Sequence, residues 1–130
     1  PALAEHGRPD LAENLIDDHY GFLRDIGDDT LPECFFGAEN ARGSRCHGWS
    51  GAPAIYAARH VLGIRPEVPG NPRELVFDPV VDRITRASGR ISHPDGWIEV
   101  SWQSVNGNIH PIIKAPEGVE VRCSANMGKV

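Results

Sequence analysis

The chain has 130 residues, of which 40% are apolar and 24% are charged, and this composition is typical of a folded globular protein rather than a disordered segment. Its formal net charge of −5 argues against a nucleic-acid partner, because such partners usually require a basic face. No apolar run approaches the roughly 18–20 residues that span a bilayer, so no membrane partner is expected.

The first residues predict two helical segments. Residues 1–7 are typical of the last turns of a helix that stops at Gly7, and half a helix at the start of the sequence predicts the C-terminal part of a longer protein. Asp10 then predicts an N-cap with Glu13 as its capping-box partner, and Gly27 predicts the helix end. Six residues mark the apolar face of this helix: Leu11, Leu15, Ile16, Tyr20, Leu23 and Ile26.

A long loop follows, and after it the second of the two complete helices. Residues 28–49 lack sustained periodicity, and a loop of this length is uncommon and more often functional or disordered. Ser50 predicts the N-cap of the second helix, with Pro53 in the first turn and Gly63 at the end. The prolines and glycine of residues 64–73 indicate a linker or a connection between layers.

From Leu75 onwards the apolar period changes to two, which indicates about five antiparallel strands. Turn residues separate these strands at 93–96, 106–107 and 116–118, and Asn106-Gly107 is the strongest hairpin signal in the chain. The predicted fold class is therefore α+β, with two helices, a long loop and a small antiparallel β domain.

Finer details of the β domain are also predicted. Gly89 is a candidate β-bulge, and residues 119–123 are expected to complete the antiparallel meander. The side chains of Trp97 and Trp102 are expected to pack inside the β domain.

Three cysteines, Cys34, Cys46 and Cys123, are scattered along the chain and odd in number. A disulfide framework favours an even count, so reduced thiols are expected. Reduced thiols favour a cytoplasmic location for the protein. The spacing of these cysteines and His47 matches no usual zinc-ligand pattern. Neither a metal nor a cofactor is therefore predicted.

Several short segments occur in an order that is specific as a set. They are Thr30-Leu31-Pro32-Glu33, Cys46-His47-Gly48-Trp49-Ser50, Ala52-Pro53-Ala54, Val61-Leu62-Gly63-Ile64-Arg65-Pro66, Pro69-Gly70, Phe77-Asp78-Pro79 and Gly89 to Trp102. This set resembles the C-terminal end of bacterial α-L-rhamnosidases, which are inverting glycoside hydrolases with an (α/α)6 barrel, over nearly the whole chain. The resemblance implies helices and an active-site loop from the end of the barrel in residues 1–66, a small antiparallel β-sandwich in residues 67–126 and a loose tail at 127–130.

The resemblance also implies roles for two residues. Glu33 matches the glutamate that acts as general base on water, and His47 matches a histidine that lines the sugar pocket. Trp49 is a further candidate, for stacking on the apolar face of a sugar. From the residues alone, the more frequent interpretations are an exposed loop glutamate and a capping or buried structural histidine. A tryptophan near a helix start is at least as often part of the core. The family usually has tryptophan directly before the glutamate, where this chain has Pro32, and this departure leaves open a relative with altered or lost activity.

An inverting mechanism requires two carboxyl groups, roughly 6.5–9.5 Å apart. The resemblance implies that the general acid lies upstream of this chain. We therefore expect an inactive fragment of a hydrolase that cleaves terminal α-L-rhamnosides, with the carbohydrate bound by the full-length parent. The alternatives are a non-catalytic structural or carbohydrate-contacting β-sandwich module and a related (α/α)-barrel enzyme of other sugar specificity. The apolar helix faces also predict that the fragment self-associates.

Overall fold

The computed structural model describes residues 1–25, 30–33, 44 and 46–124. In this part of the chain, helices precede two sheets that are mostly antiparallel, so the predicted α+β class is confirmed. The chain forms two compact units, Pro1–Tyr56 and Ala57–Val130, called here the first and the second unit. The predicted domain division after residue 66 stays a prediction, and the predicted tail at 127–130 lies outside the described residues.

The first unit begins with two helices, α1 (Ala2–Glu5) and α2 (Pro9–Asp25). Between them lies Gly7 with a φ of 74°, a left-handed conformation that glycine adopts without steric cost. The predicted helix stop at Gly7 is therefore confirmed. The predicted end of α2 at Gly27 lies outside the described residues.

The capping box predicted at Asp10 and Glu13 is wrong. Helix α2 begins at Pro9, because the fixed φ and the missing N–H of proline suit the first helical position, and Asp10 therefore lies inside the helix. The Asp10 carboxylate accepts two hydrogen bonds from the Arg8 guanidinium, at 2.9 and 2.7 Å. Glu13 is buried and accepts a hydrogen bond from the Tyr56 hydroxyl at 3.4 Å, so its side chain takes part in helix packing.

The second helical segment starts with a 3-10 turn, Gly48–Gly51, which is followed by α3 (Ala52–Tyr56). The predicted N-cap role of Ser50 is wrong, because Ser50 lies inside the 3-10 turn. Its hydroxyl donates a hydrogen bond to the Pro32 carbonyl at 2.5 Å. This bond connects the loop around Pro32 to the start of the helical segment.

In the described part of the second unit, residues 57–124, a π-helical turn, Ala57–Val61, is followed by six strands. These are β1 (Ile64–Pro66), β2 (Glu74–Phe77), β3 (Arg86–His93), β4 (Gly96–Val105), β5 (Asn108–Lys114) and β6 (Glu120–Cys123). The strands form two three-stranded sheets with the orders β1-β2-β6 and β3-β4-β5. Both sheets contribute to one buried core, which contains Ile64, Leu75, Phe77, Ile98, Val100 and Trp102. The second unit therefore contains the small β-sandwich that was predicted, with the additional strand β1 in a stretch that was predicted to be a linker or a connection between layers.

Short turns connect the strands of the second sheet. Two residues join β3 to β4, and two residues, Asn106 and Gly107, join β4 to β5. The φ angles of Asn106 and Gly107 are 52° and 81°, the left-handed conformations of a type I′ hairpin turn. The turn predicted at 93–96 and the hairpin predicted at 106–107 are therefore confirmed.

Two details of the predicted meander are wrong. Strand β6 pairs in parallel with β2, with Val121 opposite Leu75, because a period of two is common to parallel and antiparallel strands and does not identify the partner. Gly89 is not a bulge, since the pairing of β3 with β4 is continuous through it. The methyl carbon Cδ1 of Leu62 lies 2.9 Å from the position that a Cβ at residue 89 would occupy, so close packing explains this glycine.

The two tryptophans of β4 face opposite sides of the sheet. Trp102 is buried, as predicted, and its indole N–H donates a hydrogen bond to the Val61 carbonyl at 2.8 Å. The predicted packing of Trp97 inside the sandwich is wrong, because 53% of this residue is exposed. Successive residues of a strand point to opposite faces, so Trp97 shares the outer face with Glu99.

Candidate functional site

Backbone hydrogen bonds join the loop around Glu33 to the residues that precede the 3-10 turn. The Glu33 N–H donates to the Ser44 carbonyl at 2.8 Å, and the His47 N–H donates to the Leu31 carbonyl at 2.8 Å. The pairing of these backbone groups fixes the two short segments side by side. As a result, the side chains of Glu33 and His47 lie close together.

The Glu33 carboxylate is held by a backbone donor. Its Oε2 atom accepts a hydrogen bond from the Ser44 N–H at 2.9 Å and lies 3.8 Å from Nδ1 of His47. The distance to His47 is too long for a hydrogen bond, so the attraction is electrostatic and requires a protonated imidazole. The side chains of Glu33 and His47 are each 32% exposed, which leaves both accessible to solvent.

Trp49 completes the cluster of predicted site residues. Its indole N–H donates a hydrogen bond to the Glu33 carbonyl at 3.2 Å. The ring centroids of Trp49 and His47 are 4.1 Å apart, with an angle of 36° between the ring planes. Trp49 is nevertheless 67% exposed. The structure therefore brings Glu33, His47 and Trp49 together and leaves an indole surface open beside a carboxylate and an imidazole.

An open cavity of about 300 Å³ lies in the first unit, and Glu33, Trp49 and Ser50 contribute to its lining. Most of the remaining lining is apolar or aromatic, and includes Leu3, Leu15, Ile16, Tyr20, Pro53 and Tyr56. Partial burial raises the pKa of the Tyr20 hydroxyl above its ordinary value. Small-molecule sites are typically concave and mostly apolar, with a few polar groups that set orientation, and this cavity has that character.

The cavity offers one carboxylate for acid–base chemistry. Among the described residues that line it, Glu33 is the only Asp or Glu. Inverting hydrolysis of a glycoside uses two carboxyl groups, so the described residues of the cavity supply at most one of the two.

In residues 1–25, 30–33, 44 and 46–124, no group of three or more His, Cys, Asp and Glu side chains is placed to hold a metal ion. Cys46 and Cys123 are exposed free thiols, and Cys34 lies outside the described residues. No helix within the same ranges has the length and apolar character needed to cross a membrane.

The fold is similar to the solved structure of the alpha-L-rhamnosidase from Dictyoglumus thermophilum, with a TM-score of 0.75. The similarity covers 92% of this chain at 22% sequence identity. The fold is rhamnosidase-related. The chain spans only 14% of the length of that rhamnosidase chain, so the likeness concerns one part of a much larger protein. No protein-family model and no curated protein sequence matches the chain.

Three contributors to the site were not predicted from the sequence. Ser44, which donates to Glu33, lies in a loop without periodicity, so no local pattern marked it. Tyr20 was assigned only to an apolar helix face and Tyr56 only to the second helix. Their position at one cavity depends on helix packing, which a sequence pattern does not reveal.

Proposed function

We propose that the chain is the C-terminal part of a rhamnosidase-like glycoside hydrolase, and that Glu33 is the general base of the full-length parent. The observation that supports this function best is the cluster of Glu33, His47 and Trp49 beside an open cavity, in a rhamnosidase-related fold. The proposed reaction of the parent is hydrolysis of terminal α-L-rhamnosides with inversion at the anomeric carbon.

In this reaction Glu33 accepts a proton from the water that attacks the anomeric carbon. The Ser44 N–H holds the Oε2 atom at 2.9 Å and so fixes the direction of the carboxylate. The other oxygen, Oε1, is proposed to be the atom that contacts the attacking water. The exposed fraction of the side chain, 32%, allows water to reach it.

The sugar contacts are assigned to His47 and Trp49. The open indole of Trp49 offers an apolar surface for stacking against the C–H face of a sugar ring. The imidazole of His47 can exchange a hydrogen bond with a sugar hydroxyl. The bond from the Trp49 indole to the Glu33 carbonyl fixes the stacking surface relative to the base. Loss of either side chain would therefore raise KM in the parent more than it lowers kcat.

The general acid is proposed to come from a part of the parent outside this chain. One carboxylate cannot protonate the leaving oxygen and activate water in the same inverting step. Glu33 is the only carboxylate among the described cavity residues. The isolated chain is therefore expected to release no sugar.

The stereochemical course of the parent reaction tests this function. An aryl α-L-rhamnoside is mixed with the parent in an NMR tube, and the anomer formed first is recorded before mutarotation. Inversion with a carboxylate base yields β-L-rhamnose first, and the isolated chain yields none. An initial product of α-L-rhamnose would indicate a retaining mechanism, in which one carboxylate acts as a nucleophile. That result would contradict the role of Glu33 as the base of an inverting reaction. No release of rhamnose by the parent would contradict the proposed substrate.

A second candidate function is a non-catalytic module in which the β-sandwich is structural or contacts carbohydrate. Pro32, in place of the tryptophan that the resembled family usually carries, favours this candidate. Calorimetric titration of the isolated chain with L-rhamnose separates the two, because saturable binding by the chain alone favours a binding module. A related enzyme of other specificity is distinguished by turnover of other glycosides by the parent.

A further inference from the structure

The outer face of the sheet β3-β4-β5 is basic, although the whole chain carries a net charge of −5. The strand register places its charged side chains in two cross-strand rows, Arg90–Glu99–Lys114 and Arg86–Gln103–His110. Histidine aside, three cationic side chains oppose one carboxylate, a net charge of +2 on this face. Each row lines a shallow depression, of about 520 Å³ for the row that contains Arg86 and about 380 Å³ for the row that contains Arg90.

The two arginines of this face keep their charge available. Lys114 is paired with Glu99 at 3.4 Å, whereas neither arginine forms an ion pair with another residue of the described ranges. The guanidinium carbon of Arg90 lies 4.6 Å from the Trp97 ring centroid. A guanidinium that packs over an aromatic ring keeps its N–H donors in its own plane, so Arg90 can still bind a carboxylate through two parallel hydrogen bonds.

We propose that the outer face of β3-β4-β5 binds a carboxylated polysaccharide, that is, a glycan that contains uronic acids. Arg86 and Arg90 are four residues apart on one strand, about 13 Å at about 3.3 Å per residue, so they bind the carboxylates of different sugars. Trp97, which is 53% exposed, offers apolar surface to a sugar ring. The hydroxyls of Ser88 and Ser101, opposite each other between the two rows, hydrogen-bond sugar hydroxyls.

Charge and side-chain chemistry select this partner. The positive face attracts an anionic polymer through charge complementarity. The hydroxyl groups between the two arginines and the indole beside Arg90 match a polymer that carries hydroxyls and apolar ring faces as well as charge. The choice of a glycan over an acidic peptide rests on the proposed function. The binding face itself belongs to the second unit, whereas Glu33 belongs to the first.

Calorimetric titration of the chain with polygalacturonate at low ionic strength tests this site. We expect saturable binding that weakens as salt is added, because the attraction is between exposed charges. Arg86→Gln and Arg90→Gln are each expected to weaken binding about tenfold, since each removes one charge-assisted contact. Trp97→Ala is expected to weaken binding and Trp97→Phe to restore part of it. The matched control is Arg8→Gln, which removes the same charge from the first unit and is expected to leave binding unchanged.

Comparison polymers identify the partner class. Neutral dextran, poly-glutamate and duplex DNA are titrated under the same conditions, with circular dichroism as the check on folding of each variant. Absence of saturable binding to polygalacturonate, equal weakening by Arg8→Gln, or affinity for poly-glutamate or DNA as high as for polygalacturonate would each overturn the proposed site. Failure of the proposed hydrolase is a separate result, because it would appear in the parent reaction while polygalacturonate binding stayed as measured.

Discussion

The two units of the chain bury their apolar residues to different extents. In the second unit, both sheets contribute large side chains to one core, and Phe77 is fully buried. In the first unit, two of the buried apolar residues are alanines, Ala4 and Ala12, whereas Leu15 and Trp49 are 51% and 67% exposed. The sandwich therefore has a core that can stabilise it, while the helical unit that carries the candidate site keeps apolar surface open.

The largest expected difference between the units is in how much the free energy of unfolding falls when a large apolar side chain is truncated to alanine. Phe77→Ala is expected to lower the free energy of unfolding by about 3–5 kcal/mol, because it leaves a cavity in a close-packed core. Leu15→Ala is expected to cost less than about 1 kcal/mol, since half of that side chain already contacts water. Guanidinium denaturation followed by circular dichroism measures both. Equal losses in the two variants would show that the units do not differ in packing.

A smaller difference in stability is expected between alanine substitutions at two glycines with the same backbone conformation. Gly7 and Gly63 have φ angles of 74° and 77°, but a Cβ at residue 7 meets open space, whereas one at residue 63 lies 2.6 Å from the Pro79 nitrogen. Gly7→Ala is expected to cost about 1–2 kcal/mol from the left-handed backbone alone. Gly63→Ala is expected to cost roughly 1–3 kcal/mol more, because the Pro79 backbone must move. Thermal unfolding of the two variants measures the difference between their losses of stability. A difference near zero would rule out a steric clash between a Cβ at residue 63 and Pro79.

The exposed apolar residues of α2 lead to a third prediction, on association. We expect the isolated chain to self-associate through the face that contains Leu11 and Leu15, which are 39% and 51% exposed. Leu15→Glu places a charge in that contact and is expected to weaken association roughly tenfold, or about 1.4 kcal/mol. Sedimentation velocity over a concentration series measures it. Val68→Glu, at a residue of the second unit that is 53% exposed, is the control and is expected to change nothing. A chain that is monomeric at every concentration would contradict this prediction.

The features of the fold that were predicted correctly have local causes. The hairpin at Asn106-Gly107 and the helix stop at Gly7 depend on backbone conformations that these residues adopt more readily than others, so the residues are sufficient evidence. The parallel pairing of β6 with β2 and the contact between Gly89 and Leu62 join residues that are distant in sequence. Neither contact leaves a periodic pattern. The outward position of Trp97, however, followed from the alternation along β4 and could have been predicted.

The candidate site also has some features that were predicted from the sequence and others that depend on how distant residues pack. Glu33 and His47 were predicted by resemblance and Trp49 from its residue type and position, and the structure places the three side chains together. The Ser44 donor and the apolar cavity were not predicted, because they depend on how a loop without periodicity and the helices pack. The roles of the three residues stay predictions.

Turnover of an aryl α-L-rhamnoside by the parent protein, with and without Glu33→Gln, decides whether the first unit carries the base. We expect kcat to fall by a factor of about 10²–10⁴, because an amide cannot accept the proton from water, with KM and circular dichroism little changed. Glu117→Gln, the same substitution at an exposed turn residue of the second unit, is expected to leave kcat unchanged. Undiminished turnover in Glu33→Gln would contradict the assignment of Glu33 as the general base.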